Sequence, residues 1–98
     1  MPVYYINSYD ITDPETFSQY PPIVRRVLQK YGAEVLASDV NGLSLEGNAR
    51  QMNAVIKFPS KEAALNCYND PEYQPAKAIR QKSTSNCTMV LVDAFVAK

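Results

Sequence analysis

The sequence predicts an α+β fold, a four-stranded antiparallel sheet with helices packed on one face, from three observations. Runs rich in β-branched and aromatic residues, VYYINSY, AEVLAS, AVIKF and TMVLVDAFV, read as strands. Two longer stretches between them open on helix-capping residues and carry apolar residues at spacings of three and four. The order along the chain is strand, helix, strand, strand, helix, strand, which is the split βαβ arrangement.

Residues Val3 to Tyr9 form the first predicted strand, ending at the turn-prone Asp10, with Val3, Tyr5, Asn7 and Tyr9 on one face and Tyr4, Ile6 and Ser8 on the other. Neither face is plainly a water face. Asp13-Pro14-Glu15 then supplies a cap, a first-turn proline and a favourable charge at the positive end of the helix dipole. Phe17, Tyr20, Val24, Val27, Leu28 and Tyr31 make the stripe that must face a core, with Arg25, Arg26, Gln29 and Lys30 toward solvent. Pro21-Pro22 in its middle predicts a kink or two helical pieces, and Gly32 a left-handed cap.

Ala33 to Ser38 reads as a short strand, Asp39 to Gly42 as a turn, Leu43 to Glu46 as a further extended piece closed by Gly47, and Ala54 to Phe58 as the next strand. Ser60 then caps a helix whose apolar side is Ala63, Ala64, Cys67 and Tyr68. Asp70-Pro71-Glu72 repeats the capping device for a second helix, on which Tyr73, Ala76 and Arg80 share a side because seven residues are close to two turns. Pro75 lies beyond that first turn and either divides the helix or delays its start. Lys82 to Asn86 reads as a polar connection and Thr88 to Val96 as the last strand.

That last strand places Val90, Val92, Ala94 and Val96 on one side and Met89, Leu91 and Phe95 on the other, so both its faces are apolar. Helices of a split βαβ unit cover one face only, and no other segment is long enough to shield the second. A second copy is the expected cover, giving a symmetric homodimer with the sheets face to face. Ninety-eight residues suit one domain, 1–98, which buries about two-thirds of its unfolded surface and gains core from a partner.

Ten basic and ten acidic residues balance without long blocks of one sign, so composition offers no electrostatic case for nucleic acid. No apolar run is long enough for a bilayer and the N-terminus lacks a signal pattern, so a cytoplasmic protein is expected. The two cysteines, Cys67 and Cys87, make neither a metal-type pair nor a disulfide framework and are expected reduced. The absence of histidine removes the commonest metal ligand and general base, and no cofactor or metal is expected.

The run DPEYQ with an arginine six residues on, the preceding FPSKEAALNCY, the early DPETFSQY, the YG at Tyr31-Gly32 and the LEG ending at Gly47 stand in a fixed order. Together they resemble the family of small proteins known as domain of unknown function 1330, over nearly the whole chain. The resemblance implies a ferredoxin-like α+β domain that pairs into a dimeric α+β barrel. That fold is also used by cofactor-free monooxygenases and isomerases. The quinone-forming monooxygenases of this fold use a tryptophan–asparagine–tyrosine grouping that does not carry over intact, since the chain has no tryptophan.

Seven residues stand out as candidates for chemistry. Asp93 falls on the Leu91 and Phe95 side of an apolar strand, where desolvation would raise its pKa, unless it lies in water at the fraying end of the sheet. Glu46, before Gly47, is a proton acceptor or a solvated ion-pair partner. Arg80 and Tyr73 on one helical face converge on a carboxylate of ligand or protein, Asp70 or Glu46 in the latter case. Asn7 and Tyr20, with Tyr5, offer hydrogen bonds to a ligand carbonyl. Asp13 and Asp70 are assigned to capping alone, and Cys67 to the core.

Two functions fit. The leading one is a homodimer that binds a small molecule non-catalytically or serves as a structural dimer. The alternative is a cofactor-independent isomerase- or monooxygenase-like enzyme on a small anionic or aromatic substrate. In the alternative, Glu46 or Asp93 moves a proton while Arg80 and Tyr73 steady the charge.

Overall fold

A computed structural model describes residues 1–97. Four strands, β1 (Val3–Ile11), β2 (Glu34–Asp39), β3 (Met52–Phe58) and β4 (Thr84–Asp93), form one sheet in the order β2-β3-β1-β4. All neighbouring pairs are antiparallel. Between β1 and β2 lie α1 (Pro14–Phe17) and α2 (Tyr20–Lys30), and between β3 and β4 lie α3 (Lys61–Tyr68) and α4 (Gln74–Ser83). This is the ferredoxin-like split βαβ fold, with the helices on one face of the sheet.

Alternation fixes which face is which. Val3, Tyr5, Asn7 and Tyr9 of β1 and Met52, Ala54, Ile56 and Phe58 of β3 are buried toward the helices. They meet Tyr20, Val27 and Leu28 of α2, Ala64 and Cys67 of α3, and Tyr73 and Ala76 at α4. The opposite face has no such cover, and Ile6 and Val90, adjacent in register on β1 and β4, remain 40% and 50% exposed.

The helical region after β1 breaks at Ser18-Gln19, before its prolines rather than at them. Pro21 and Pro22 have no N–H to donate to the preceding turn, so that turn closes as α1, and the prolines enter the first turn of α2, where no donor is required. Asp13 caps α1 through the Thr16 N–H, and Ser60 caps α3 through the Ala63 N–H at 3.0 Å. Gly32 adopts φ +67°, the left-handed cap expected after α2. Pro75 delays the last helix: residues 71–73 form a turn and α4 begins at Gln74.

Several boundaries differ from the sequence expectations. Leu43 to Glu46 is not a strand but part of a long loop, 40–51, because β3 already has β2 and β1 as its two neighbours. The segment Lys82 to Asn86 is not a polar connection: α4 runs to Ser83 and β4 starts at once at Thr84. β1 continues to Ile11 because the Asp10 carboxylate, instead of ending it, accepts the Gln51 N–H at 3.0 Å and the Asn86 amide at 3.2 Å. β4 ends at Asp93, and Phe95 lies beyond the ladder, almost fully exposed.

Asp70 is more than a cap, which corrects its assignment to capping alone. Besides accepting the Glu72 N–H at 2.7 Å, it receives Lys30 Nζ at 2.8 Å and the Tyr31 hydroxyl at 2.5 Å. One carboxylate thus pins the end of α2 to the turn before α4. The Lys30 ammonium, the Tyr31 hydroxyl and the Glu72 N–H hold its pKa at about 2, below the ordinary aspartate range. A carboxyl depressed on folding stabilises the fold above its unfolded pKa, near 4, and that contribution is lost as pH falls toward about 2. Asp70→Asn is therefore expected to be less stable at neutral pH and to lose less stability between pH 4 and 2, read by urea unfolding at several pH values. An unchanged acid limb in the variant would exclude the clamp.

Candidate functional site

The site is the space that the helices leave above the sheet. α2 packs on the sheet through Tyr20, Val27 and Leu28, and a cavity of about 430 Å³ remains between it and the β1, β3 and β2 strands. Its walls are chiefly apolar: Phe17, Val24 and Leu28 from the helices, Met52, Ala54 and Ile56 from β3, and Val35 from β2. Tyr9, Tyr20 and Asn7 supply polar atoms, and the exposed Arg25 and Ser38 stand at its rim. A narrow inner recess reaches Tyr5, Cys67, Tyr73 and Met89. Burial pushes the Cys67 thiol up to about 11, so it stays a neutral wall residue.

Behind the recess sits Arg80, only 3% exposed. It shares a side with Tyr73 across two turns, and its Nη1 donates to the Tyr73 hydroxyl oxygen. That hydroxyl lies 3.2 Å from the hydroxyl of Tyr20, which lines the cavity itself. The guanidinium also stands 5.9 Å from the centre of the Tyr20 ring. Arg80, Tyr73 and Tyr20 therefore form one chain of hydrogen-bonding groups that begins at a buried charge and ends at the cavity.

No carboxylate among the described residues pairs with that charge. The salt bridges found join Lys30 to Asp70 and Glu72, and Arg50 to Asp10. The expected Arg80 partners, Asp70 and Glu46, are engaged elsewhere or distant: Asp70 by Lys30 and Tyr31, Glu46 by its place in the exposed loop. Burial acts to weaken the Arg80 charge, but the Tyr73 and Tyr20 oxygens more than offset this and the guanidinium stays charged. Burial likewise raises the Tyr73 phenol above the usual tyrosine range, against the pull of Arg80, so it remains a neutral hydroxyl.

Three buried polar atoms in this cluster have no hydrogen-bond partner among the described residues: Arg80 Nε, the Tyr5 hydroxyl and Asn7 Oδ1. Such atoms are uncommon in folded proteins and call for an explanation, since each leaves a desolvation cost of about 1–3 kcal/mol unmet.

Of the residues singled out in the sequence, Asn7, Tyr20, Tyr73 and Arg80 come together here. Glu46 and Asp93 do not. Glu46 lies in loop 40–51, beside a second cavity of about 580 Å³ on the opposite face of the sheet, lined by Ile6, Val55 and Leu45. Asp93 pairs with Val3 at the end of β4, faces the helices by register, and is exposed. Sequence reasoning missed Phe17, Arg25 and Met52 as cavity residues. Phe17 was legible as part of the apolar stripe, but no pattern says that part of the stripe lines a cavity.

The family model described as Domain of unknown function (DUF1330) matches residues 2–95. The chain belongs to this family. No curated protein matches the sequence closely enough to count as a relative. Among solved structures, the chain is similar to a protein of unknown function from Rhodopseudomonas palustris, at 18% identity and TM-score 0.83, covering 98% of this chain and 84% of that one. A dimeric ferredoxin-like protein of unknown function from Jannaschia sp. CCS1 is 10% identical, with TM-score 0.76 over 96% and 100% of the two chains. SnoaB, a cofactor-independent oxygenase from Streptomyces nogalater, is also 10% identical, with TM-score 0.70 over 98% and 95%. Likeness at these identities speaks for the fold and not for the chemistry.

The Arg80–Tyr73 bond gives a direct prediction. Tyr73→Phe leaves the guanidinium buried with its acceptor gone, and is expected to cost about 1–3 kcal/mol in denaturant unfolding. A loss no larger than that of a surface substitution would show that Arg80 has another partner.

Proposed function

We propose that this DUF1330 protein is a homodimer that binds a small molecule non-catalytically in the helix-side cavity of each subunit. The observation that carries the binding half is an apolar cavity with buried polar atoms beside it, of Asn7 in its wall and Tyr5 in its recess, that have no partner among the described residues. Non-catalytic binding is the reading the lining supports. It contains no Asp or Glu, the Tyr73 phenol beside Arg80 is held neutral by burial, and both carboxylates considered as proton acceptors lie outside it. A proton transfer in this cavity has no carboxylate of the same chain to receive it.

The dimer is supported by the uncovered sheet face and by the dimeric ferredoxin-like protein that the chain resembles. Ile6 and Val90 on that face, with Leu43 and Leu45 of loop 40–51 each 87% exposed, make an apolar surface that a second copy would cover. Sheet-to-sheet packing would also close the cavity beside Glu46. No helix among the described residues is long and apolar enough to cross a membrane. We place the protein in the cytoplasm, without nucleic acid as a partner.

Sedimentation at micromolar concentration is expected to give twice the chain mass, and Val90→Lys, which puts a charge in the middle of the joint, the mass of one chain. A wild-type monomer would rule out the dimer. For the cavity, a set of small aromatic compounds is expected to shift amide signals of β1, β3 and α2 together. Shifts confined to the open sheet face, or none, would rule out the helix-side site.

A further inference from the structure

We propose that the helix-side cavity takes an apolar molecule carrying one oxyanion, a carboxylate or a phenolate or enolate oxygen, held at the Tyr20 end of the Arg80–Tyr73–Tyr20 chain. This rests on the cavity being a ligand site and adds the chemical class of the ligand.

The charges around the cavity have one sign. Arg80 stands behind the recess and Arg25 at the rim, while no acidic side chain lines either space. Arg80 itself lines neither, so its charge reaches the cavity through the phenols. Either hydroxyl of the Tyr73–Tyr20 pair can donate to the other; with Nη1 of Arg80 donating to Tyr73, the arrangement in which Tyr73 donates to Tyr20 points the Tyr20 hydrogen into the cavity, and an oxyanion there selects it. Donors linked in this way polarise one another, so the last hydrogen in the chain is the strongest donor the cavity offers.

A charged acceptor meets such a donor better than a neutral one, because charge-assisted hydrogen bonds are about twice as strong. It also supplies the buried guanidinium with the counter-charge that no described residue provides. Tyr5, 8% exposed, and Asn7, 6% exposed, converge on the recess between Tyr20 and Tyr73. The unpartnered Tyr5 hydroxyl is a second donor for the oxyanion. The Asn7 amide presents its oxygen or its nitrogen to the same space. Phe17, Val24, Leu28, Met52 and Ile56 leave room only for an apolar body beyond the charged end. An ammonium ligand would find two arginines and no carboxylate.

The test compares three ligands of one shape on the full chain by calorimetry at pH 7: 2-naphthoate, 2-naphthalenemethanol and 2-naphthylmethylammonium. The expected result is that 2-naphthoate binds about tenfold more tightly than the alcohol, and the ammonium more weakly than either. Tyr20→Phe keeps the ring and leaves Arg80 its Tyr73 acceptor, and is expected to bring naphthoate and alcohol within about threefold. Arg25→Ala, an exposed change that leaves the fold alone, is expected to weaken naphthoate several-fold and the alcohol not at all.

Equal binding of all three ligands, or a naphthoate preference unchanged in both variants, would overturn the oxyanion assignment while leaving the cavity a ligand site. Binding of none would remove the ligand site itself, and the assignment with it.

Discussion

A guanidinium sits on the helix side of the sheet with phenol oxygens around it and no carboxylate among the described residues to neutralise it. Taking an arginine out of water costs several kcal/mol unless an anion and a full set of hydrogen bonds replace the solvent. Here one nitrogen meets Tyr73, and Nε meets nothing among the described residues. The arrangement of the helix layer follows from holding that charge. Tyr73 precedes Arg80 by two turns on the face of α4 that looks at the sheet, and Tyr20 opens α2 where its hydroxyl completes the chain. Ala76 between them is small enough to let the two helices approach.

The cavity lies where α2 passes over the β2 side of the sheet, and α2 is anchored at both ends. At its start, Pro21-Pro22 forces the break from α1 and aims Tyr20 inward. At its end, Lys30 and Tyr31 close on Asp70, whose low pKa keeps the clamp charged through the neutral range. Between these points the helix bridges the β2 side of the sheet, where every residue of β2 is exposed. The core is thus densest on the β1, β3 and α3 side, and the other side stays open. The open sheet face is a separate surface, apolar at Ile6, Val90, Leu43 and Leu45, and suited to a second copy rather than to a small molecule.

Much of this was legible in the chain. Period-two alternation put Asn7 and Tyr5 on one face of β1, and the seven-residue step put Tyr73 and Arg80 on one side of α4. Those rules describe local geometry that tertiary packing does not alter. The stripe from Phe17 to Tyr31 and the cap at Gly32 were legible for the same reason. Glu46 and Asp93 were harder. Asp93 does face the helices by register, yet alternation cannot say that the sheet ends there. Glu46 belongs to a loop with no periodicity to place it. Asp70 was read as a cap because capping is written in four consecutive residues, whereas its bonds to Lys30 and Tyr31 join positions about forty apart. The partner of Arg80 was misjudged because charge invites a carboxylate on paper, while the fold supplies hydroxyls.

If Arg80 is kept for a guest and not for the fold, replacing it with a side chain of similar length and no charge should relieve a cost. The most direct measurement is the unfolding free energy of Arg80→Met beside its affinity for 2-naphthoate. The account predicts a variant at least as stable as the parent, with Tyr73 and Tyr20 still bonded to each other, and with naphthoate binding weakened about tenfold or more. A variant that loses several kcal/mol of stability yet binds naphthoate as before would contradict it, and would make Arg80 a structural residue.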